Sequence, residues 1–174
     1  MSSSRILLFT GEGKGKTTAA LGMVLRASGH GLRSLVIQFV KSDRSTGELA
    51  GAKYLPGVEI VQTGRGFLPE PGHPEFAGHR EAAARGLDLA SRAIDSREND
   101  LIVLDEICHA VAKGLLPEEE VIDAIRRAGP DTCIVLTGRG ATPGLVAVAD
   151  TVTEMHCRKH GFAAGCKARK GVEF

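Results

Sequence analysis

Nine consecutive residues, Thr10-Gly11-Glu12-Gly13-Lys14-Gly15-Lys16-Thr17-Thr18, have types and spacing that suit them to hold phosphate. The glycines let backbone N–H groups converge on phosphate oxygens, Lys16 can reach the terminal phosphates of a nucleotide, and the Thr17 hydroxyl can ligate Mg²⁺. The nucleotide-binding set read from this loop is Gly11, Glu12, Gly13, Lys14, Gly15, Lys16, Thr17 and Thr18. The usual pattern has a glycine five residues before the Gly-Lys-Thr glycine. Here Thr10 holds that position and Gly11 stands one step late, so the loop is a variant. A companion segment, Leu101-Ile102-Val103-Leu104-Asp105-Glu106, is an apolar run ending in two carboxylates. Asp105 or Glu106 can hold the same Mg²⁺, directly or through water.

These groups can act together only if the fold brings them to one edge of a sheet. Arg5 to Phe9, Leu35 to Val40, Val58 to Gln62, Leu101 to Asp105, Cys133 to Thr137 and Thr151 to Met155 read as short strands. Most are apolar on both faces, as strands are when helices cover a sheet on either side. The expected fold is therefore α/β, three-layered, with a mostly parallel sheet. Lys16 to Ser28 reads as a helix ended by Gly29. In Pro74 to Ser96, residues Phe76, Ala83, Leu87, Ala90 and Ile94 fall on one helical face. Pro117 before Glu118 to Glu120, and Thr142 before Pro143, mark two further helix starts. Lys41 to Gly57 and Gly64 to Gly72 read as loops, long enough to be functional or mobile.

The chain has 174 residues, which predicts one domain spanning 1–174. Apolar residues make up 43% and charged residues 25%, with 22 Lys and Arg against 21 Asp and Glu. That balance describes a folded protein with no strongly electrostatic partner. With one Tyr and no Trp for base stacking, nucleic acid is not an expected partner. No apolar run approaches the roughly 18 residues of a membrane span, and no secretory signal is read at the start. Cys108, Cys133, Cys157 and Cys166 are too few to form a disulfide framework, so reduced thiols and a cytoplasmic location are expected.

Taken in order, several segments resemble the corrinoid adenosyltransferases of the CobA, CobO and BtuR type. The resemblance runs through Phe9 to Ala20, Gln38-Phe39-Val40-Lys41, Gly64-Arg65-Gly66-Phe67, Leu104-Asp105-Glu106 and Leu136 to Gly140. It ends with Ala149 to Met155 and Lys167 to Phe174. It implies a RecA-like P-loop fold, usually a homodimer, that moves the 5'-deoxyadenosyl group of ATP to cobalt of a reduced corrinoid and releases triphosphate. Mg²⁺, or Mn²⁺ in its place, would accompany ATP. A flavoprotein-type reductant is an implied partner.

Co(I) is itself the nucleophile, so such chemistry needs charge stabilisation on the leaving group rather than a base. Lys16 and Thr17 are the expected catalytic groups at the triphosphate, and Lys41 and Arg139 are expected ATP contacts. The resemblance also gives Phe67 a role in displacing the corrinoid's lower ligand. The family's second aromatic would fall where this chain has Pro69. Phe67 acts alone or Phe76 substitutes, and a core position for Phe67 is the alternative. Four residues before the first strand are too few for the family's N-terminal helical extension, so a more open site is expected.

The competing reading is a P-loop ATPase that works as a regulatory switch. A structural metal among His156, Cys157, His160 and Cys166 matches no trusted spacing. Cys108 and His109 are expected to pack or cap. The basic tail holds Arg158, Lys159, Lys167, Arg169 and Lys170 against Glu173 and reads as a solvated face. The resemblance brings Lys167, Arg169 or Lys170 near the triphosphate or the corrinoid.

Overall fold

The computed structural model describes residues 4–161 and 165–172. Six strands, β1 (Arg5–Thr10), β2 (Ser34–Gln38), β3 (Val58–Gln62), β4 (Leu101–Asp105), β5 (Cys133–Thr137) and β6 (Thr151–Glu154), form one sheet in the order β3-β2-β4-β5-β1-β6. Every pairing is parallel. The helices are α1 (Lys16–Gly29), α2 (Gly47–Ala52), α3 (Phe76–Ser96), α4 (Ile107–Ala112), α5 (Glu118–Arg126) and α6 (Pro143–Val148).

Alternation along the strands sorts the core onto two faces. Ile6, Leu8, Leu35, Ile37, Ile102, Leu104, Ile134 and Leu136 join one cluster with Ala83, Leu87, Ala90 and Ile94 of α3 and with residues of α4, α5 and α6. Phe9, Val36, Leu101, Val103 and Val135 point the other way, onto Ala20, Val24 and Ala27 of α1. Strands covered on both sides must be apolar on both sides, which is why β2 and β4 are buried at all five positions. β6 pairs only with β1 and is exposed at all four positions, as befits an edge.

The expected strands are all present, within two residues at each end. The long helix begins at Phe76 rather than Pro74, because the 73–76 segment closes a turn with Phe76 N donating to His73 O at 2.9 Å. The stretch from Lys41 to Gly57 contains the short helix α2, which its glycines and polar residues concealed. Thr142 takes the extended conformation of an N-cap with Pro143 next, but its hydroxyl donates to Glu118. Glu118, in the first turn of α5, itself caps α6 by accepting Leu145 N at 3.1 Å.

Candidate active site

In a parallel sheet all carboxyl ends share one edge, and the polar side chains of the loops converge there on Asp105 at the end of β4. Asp105 is fully buried, and each of its oxygens is held. Oδ1 accepts the hydroxyls of Thr17 and Thr137, both at 2.7 Å. Oδ2 accepts the Gln38 amide at 3.1 Å and lies 3.5 Å from Lys41 Nζ. Gln38 is itself fully buried, opposite Asp105 in the β2–β4 register, and accepts Gln62 Nε2 at 3.0 Å. A carboxylate this deep needs such partners, since an unpaired buried charge costs several kcal/mol.

Glu106 follows in a left-handed conformation, φ 65°, and its N–H donates to Thr137 Oγ1 at 3.0 Å. The side chain lines the cavity in front of the phosphate loop. Burial, and then the neighbouring Asp105 charge, push its carboxyl above the usual range, while Lys16, Lys41 and Arg139 pull it down.

The phosphate loop owes its shape to the end of β6. Gly11 has φ 93°, and a Cβ there would lie 2.5 Å from Met155 O; at Gly13 the same atom would be 2.6 Å away. Gly13 N donates to Met155 O at 2.6 Å. The late glycine is thus required by backbone conformation and close packing, while Thr10 is simply the last residue of β1 and pairs with Glu154. Lys16 is buried, and its Nζ donates to the carbonyls of Gly11 and Gly13, each at 2.7 Å. Burial lowers its pKa, against the raising effect of Glu106, Glu12 and Asp105.

A cavity of about 660 Å³ opens over this loop. Glu12 to Thr18 line it, together with Lys41, Glu48, Glu106 and Arg139. Arg139, on the turn after β5, reaches Glu12 at 3.2 Å. From the tail, His160, Gly171 and Val172 complete the wall, and Lys14 Nζ donates to Val172 O at 3.0 Å. Of the expected ATP contacts, all but Gly11 line this cavity, and Gly11 contributes its carbonyl to Lys16. Of the expected metal residues, Thr17 and Glu106 line it and Asp105 lies buried behind, and Lys167, Arg169 and Lys170 are not part of its wall. Of the tail cations, Arg158, Lys159, Lys167, Arg169 and Lys170 are exposed.

A second cavity, about 490 Å³, lies alongside and is lined by Val40 to Asp43, Thr46, Gly66 to Leu68, Glu70, His109 and Lys113. Phe67 stands at its edge 95% exposed, so it is no core phenylalanine. Phe76 packs against the core instead. The Phe67 loop is tied to the end of β2: Gly66 N donates to Val40 O at 2.8 Å, and a Cβ at Gly64 would lie 2.1 Å from Val40 C. Cys108 is buried among core residues, as expected, but His109 faces this cavity. Burial, with Lys113 and Arg139 nearby, lowers its pKa and favours neutral imidazole.

Sequence reasoning missed Gln38 as a support, Thr137 as the link between Asp105 and Glu106, and Glu48. Glu48 Oε1 accepts Lys41 Nζ at 3.0 Å and Gln38 Nε2 at 3.4 Å. It sits on α2, in a segment with no readable periodicity. For Lys41, burial works against the charge, but Asp105 and Glu48 outweigh it and raise the pKa.

The parallel sheet, the strand–loop–helix around Lys16 and the carboxylate at the end of β4 define a P-loop nucleotide-binding protein of the RecA-like kind. Solved structures agree on the fold. The flagellar accessory protein FlaH from Methanocaldococcus jannaschii superposes with a TM-score of 0.57 at 12% identity, over 87% of this chain and 70% of that one. A KaiC-like protein, PH0186, from Pyrococcus horikoshii OT3 gives 0.57 at 15% identity, over 88% and 71%.

In sequence, residues 2–174 match the family described as ATP:corrinoid adenosyltransferase BtuR/CobO/CobP, and the chain belongs to that family. The corrinoid adenosyltransferase of Pseudomonas aeruginosa is 42% identical over 171 residues, covering 97% of this chain and 83% of that protein. The Escherichia coli K12 corrinoid adenosyltransferase is 38% identical over 170 residues, covering 97% and 85%. The Salmonella typhimurium corrinoid adenosyltransferase CobA is 38% identical over 169 residues, with the same coverage.

Proposed function

We propose that this protein transfers the 5'-deoxyadenosyl group of ATP to Co(I) of a reduced corrinoid, cobalamin or cobinamide, and releases triphosphate. The observation that carries this reading is the pairing of two cavities at one sheet edge, one built on the phosphate loop and the other bearing an exposed aromatic. In this reading the loop amides, Lys14, Lys16 and Arg139 hold the triphosphate, and the corrinoid lies in the second cavity against Phe67. Family membership supports it.

The donors near the phosphate loop are hard oxygens, those of Thr17, Asp105 and Glu106, and they suit Mg²⁺, with Mn²⁺ as the alternative ion. When bound, the ion would neutralise charge on the triphosphate. Thr17 and Glu106, which line the cavity, would hold it directly or through water, with the fully buried Asp105 behind them orienting Thr17 or acting through water. Phe67 would keep the lower axial position of cobalt clear. The setting this reading implies is cytoplasmic, a homodimer of one-domain chains, with a flavoprotein-type reductant supplying electrons for adenosylcobalamin synthesis or salvage.

Incubation with ATP, Mg²⁺ and chemically reduced cob(I)alamin is expected to yield inorganic triphosphate and a light-sensitive Co–C bond, read from the corrinoid absorbance spectrum. ADP and phosphate released without corrinoid would instead establish the switch ATPase.

A further inference from the structure

We infer that Lys41 is a catalytic residue of the transfer, its ammonium placed on the leaving oxygen of the nucleotide's α-phosphate. The inference rests on the reading above, in which ATP occupies the first cavity and the corrinoid the second. Among the described residues the two cavities share one lining residue, and it is Lys41. In-line displacement puts nucleophile, carbon and leaving oxygen on one line within contact distance, so the reacting carbon has to sit where the cavities meet.

The electron balance shows what that point requires. The Co(I) lone pair forms the Co–C5' bond as the C5'–O5' bond breaks, and the bonding pair leaves on O5' with the triphosphate. Cobalt is thereby oxidised from I to III and C5' is reduced, with no proton abstracted. New negative charge therefore appears first on O5', beside C5'. Lys16 serves the terminal phosphates at the far end of the chain, so a separate cation at the junction has a distinct task.

Lys41 is built for it. Its ammonium donates to Glu48 Oε1 at 3.0 Å and lies 3.5 Å from Asp105 Oδ2 as an ion pair, so at least one of its three N–H groups is left for a phosphate oxygen. Both carboxylates are anchored by the fully buried Gln38, so the ammonium is oriented before reaction. Preorganised donors of this kind act mainly on the transition state. The residue before it, Val40, carries the hydrogen bond that fixes the Phe67 loop, so the aromatic of one cavity and the cation of the junction share a short piece of backbone.

The test is single-turnover Co–C bond formation from pre-reduced cob(I)alamin and saturating Mg-ATP, compared for the unsubstituted protein, Lys41→Met and Lys41→Arg, with ATP affinity measured separately by equilibrium titration. Lys41→Met is expected to slow the transfer about 10²- to 10³-fold while ATP affinity changes less than about 5-fold, and Lys41→Arg to recover at least about 10-fold of the rate. A Lys41→Met rate within about 3-fold of the unsubstituted protein overturns the assignment. So does a rate loss matched by an equal loss of ATP affinity. If Lys41→Met loses its cooperative melting transition, Lys41→Gln and Lys41→Arg carry the same comparison. Failure of the unsubstituted protein to form any Co–C bond overturns the adenosyl-transfer reading itself, an outcome distinct from a normal rate that survives the substitution.

Discussion

Thr17 donates its hydroxyl proton to Asp105 Oδ1 over 2.7 Å, joining the first turn of α1 to the end of β4 across 88 positions of sequence. Strand β5 lies between β1 and β4, and its last residue, Thr137, gives Asp105 a second hydroxyl donor at 2.7 Å. The carboxylate is therefore oriented by residues from three separate elements before any substrate arrives.

Asp105→Asn removes the negative charge and replaces one carboxylate oxygen with an N–H donor group, which then faces either the Thr17 and Thr137 hydroxyls or the Gln38 amide and Lys41 ammonium. Turnover is expected to fall at least about 10²-fold, and stability by roughly 1–3 kcal/mol, the usual cost of a buried polar group left without a partner. Steady-state kinetics and urea denaturation measure the two effects, and turnover within about 3-fold of the parent would refute its role at the metal site.

Lys16→Ala removes the buried ammonium that now bonds Gly11 O and Gly13 O. Loss of charge stabilisation on the leaving group is expected to lower turnover by roughly 10² or more. The check is the rate at saturating ATP; a near-normal value would withdraw the phosphate-loop role from Lys16.

Phe67→Ala separates two tasks. Activity is expected to be lost when cob(II)alamin must be reduced on the enzyme by a flavin-type donor, and largely kept when cob(I)alamin is supplied. Because the ring is 95% exposed, the melting temperature should stay put, whereas truncating a buried Phe costs roughly 3–5 kcal/mol. Equal losses in the two assays would remove the axial-ligand role.

Gly64→Ala would place a methyl 2.1 Å from the carbonyl carbon of Val40, against backbone that cannot rotate away. Overpacking of this kind costs roughly 1–3 kcal/mol or more, and here it also displaces the Phe67 loop. A lower urea midpoint together with lower activity is expected, and an unchanged midpoint would contradict the close approach.

Alkaline stability should report on Cys108, whose thiol is pushed up to about 12 by burial, with the Glu106 charge adding to it. The unfolded chain ionises this thiol from its ordinary value of 9.0, so it binds fewer protons than the native state above that pH. The stability is fully present below pH 9 and is lost as pH rises toward 12, at up to about 1.4 kcal/mol per pH unit. Denaturation of Cys108→Ala between pH 8 and roughly 11 should show a shallower decline than the parent; parallel curves would contradict it.

The six strands and the phosphate loop were legible because each is written locally. Val103 and Leu104 are apolar whichever face they meet, and the Gly-Lys-Thr run keeps its meaning without tertiary context. Glu48 was not legible, because its importance comes from Lys41 and Gln38 brought beside it, and nothing in Gly47 to Ala52 repeats at helical spacing. Thr137 looked like the last residue of a strand, since its hydroxyl acquires a task only when β4 lies next to β5. The reason for the late glycine was equally hidden, because it lies in Met155, far along the chain.

That contact between Gly13 and Met155 makes an early segment of the chain depend on a late one. The loop at residues 11–15 leaves the ribosome first, but its backbone is closed by Met155 O, and Ile6 N at the head of β1 is closed by Asp150 Oδ2 at 2.7 Å. A nascent chain that has not yet exposed β6 therefore holds the complete phosphate motif without the wall that shapes it. A chain truncated before Asp150 should consequently bind ATP much more weakly than the 174-residue chain, measurable by equilibrium titration, and equal affinity would show that the loop closes unaided. The loop that carries the phosphate motif thus takes its shape from backbone more than 140 residues further along the chain.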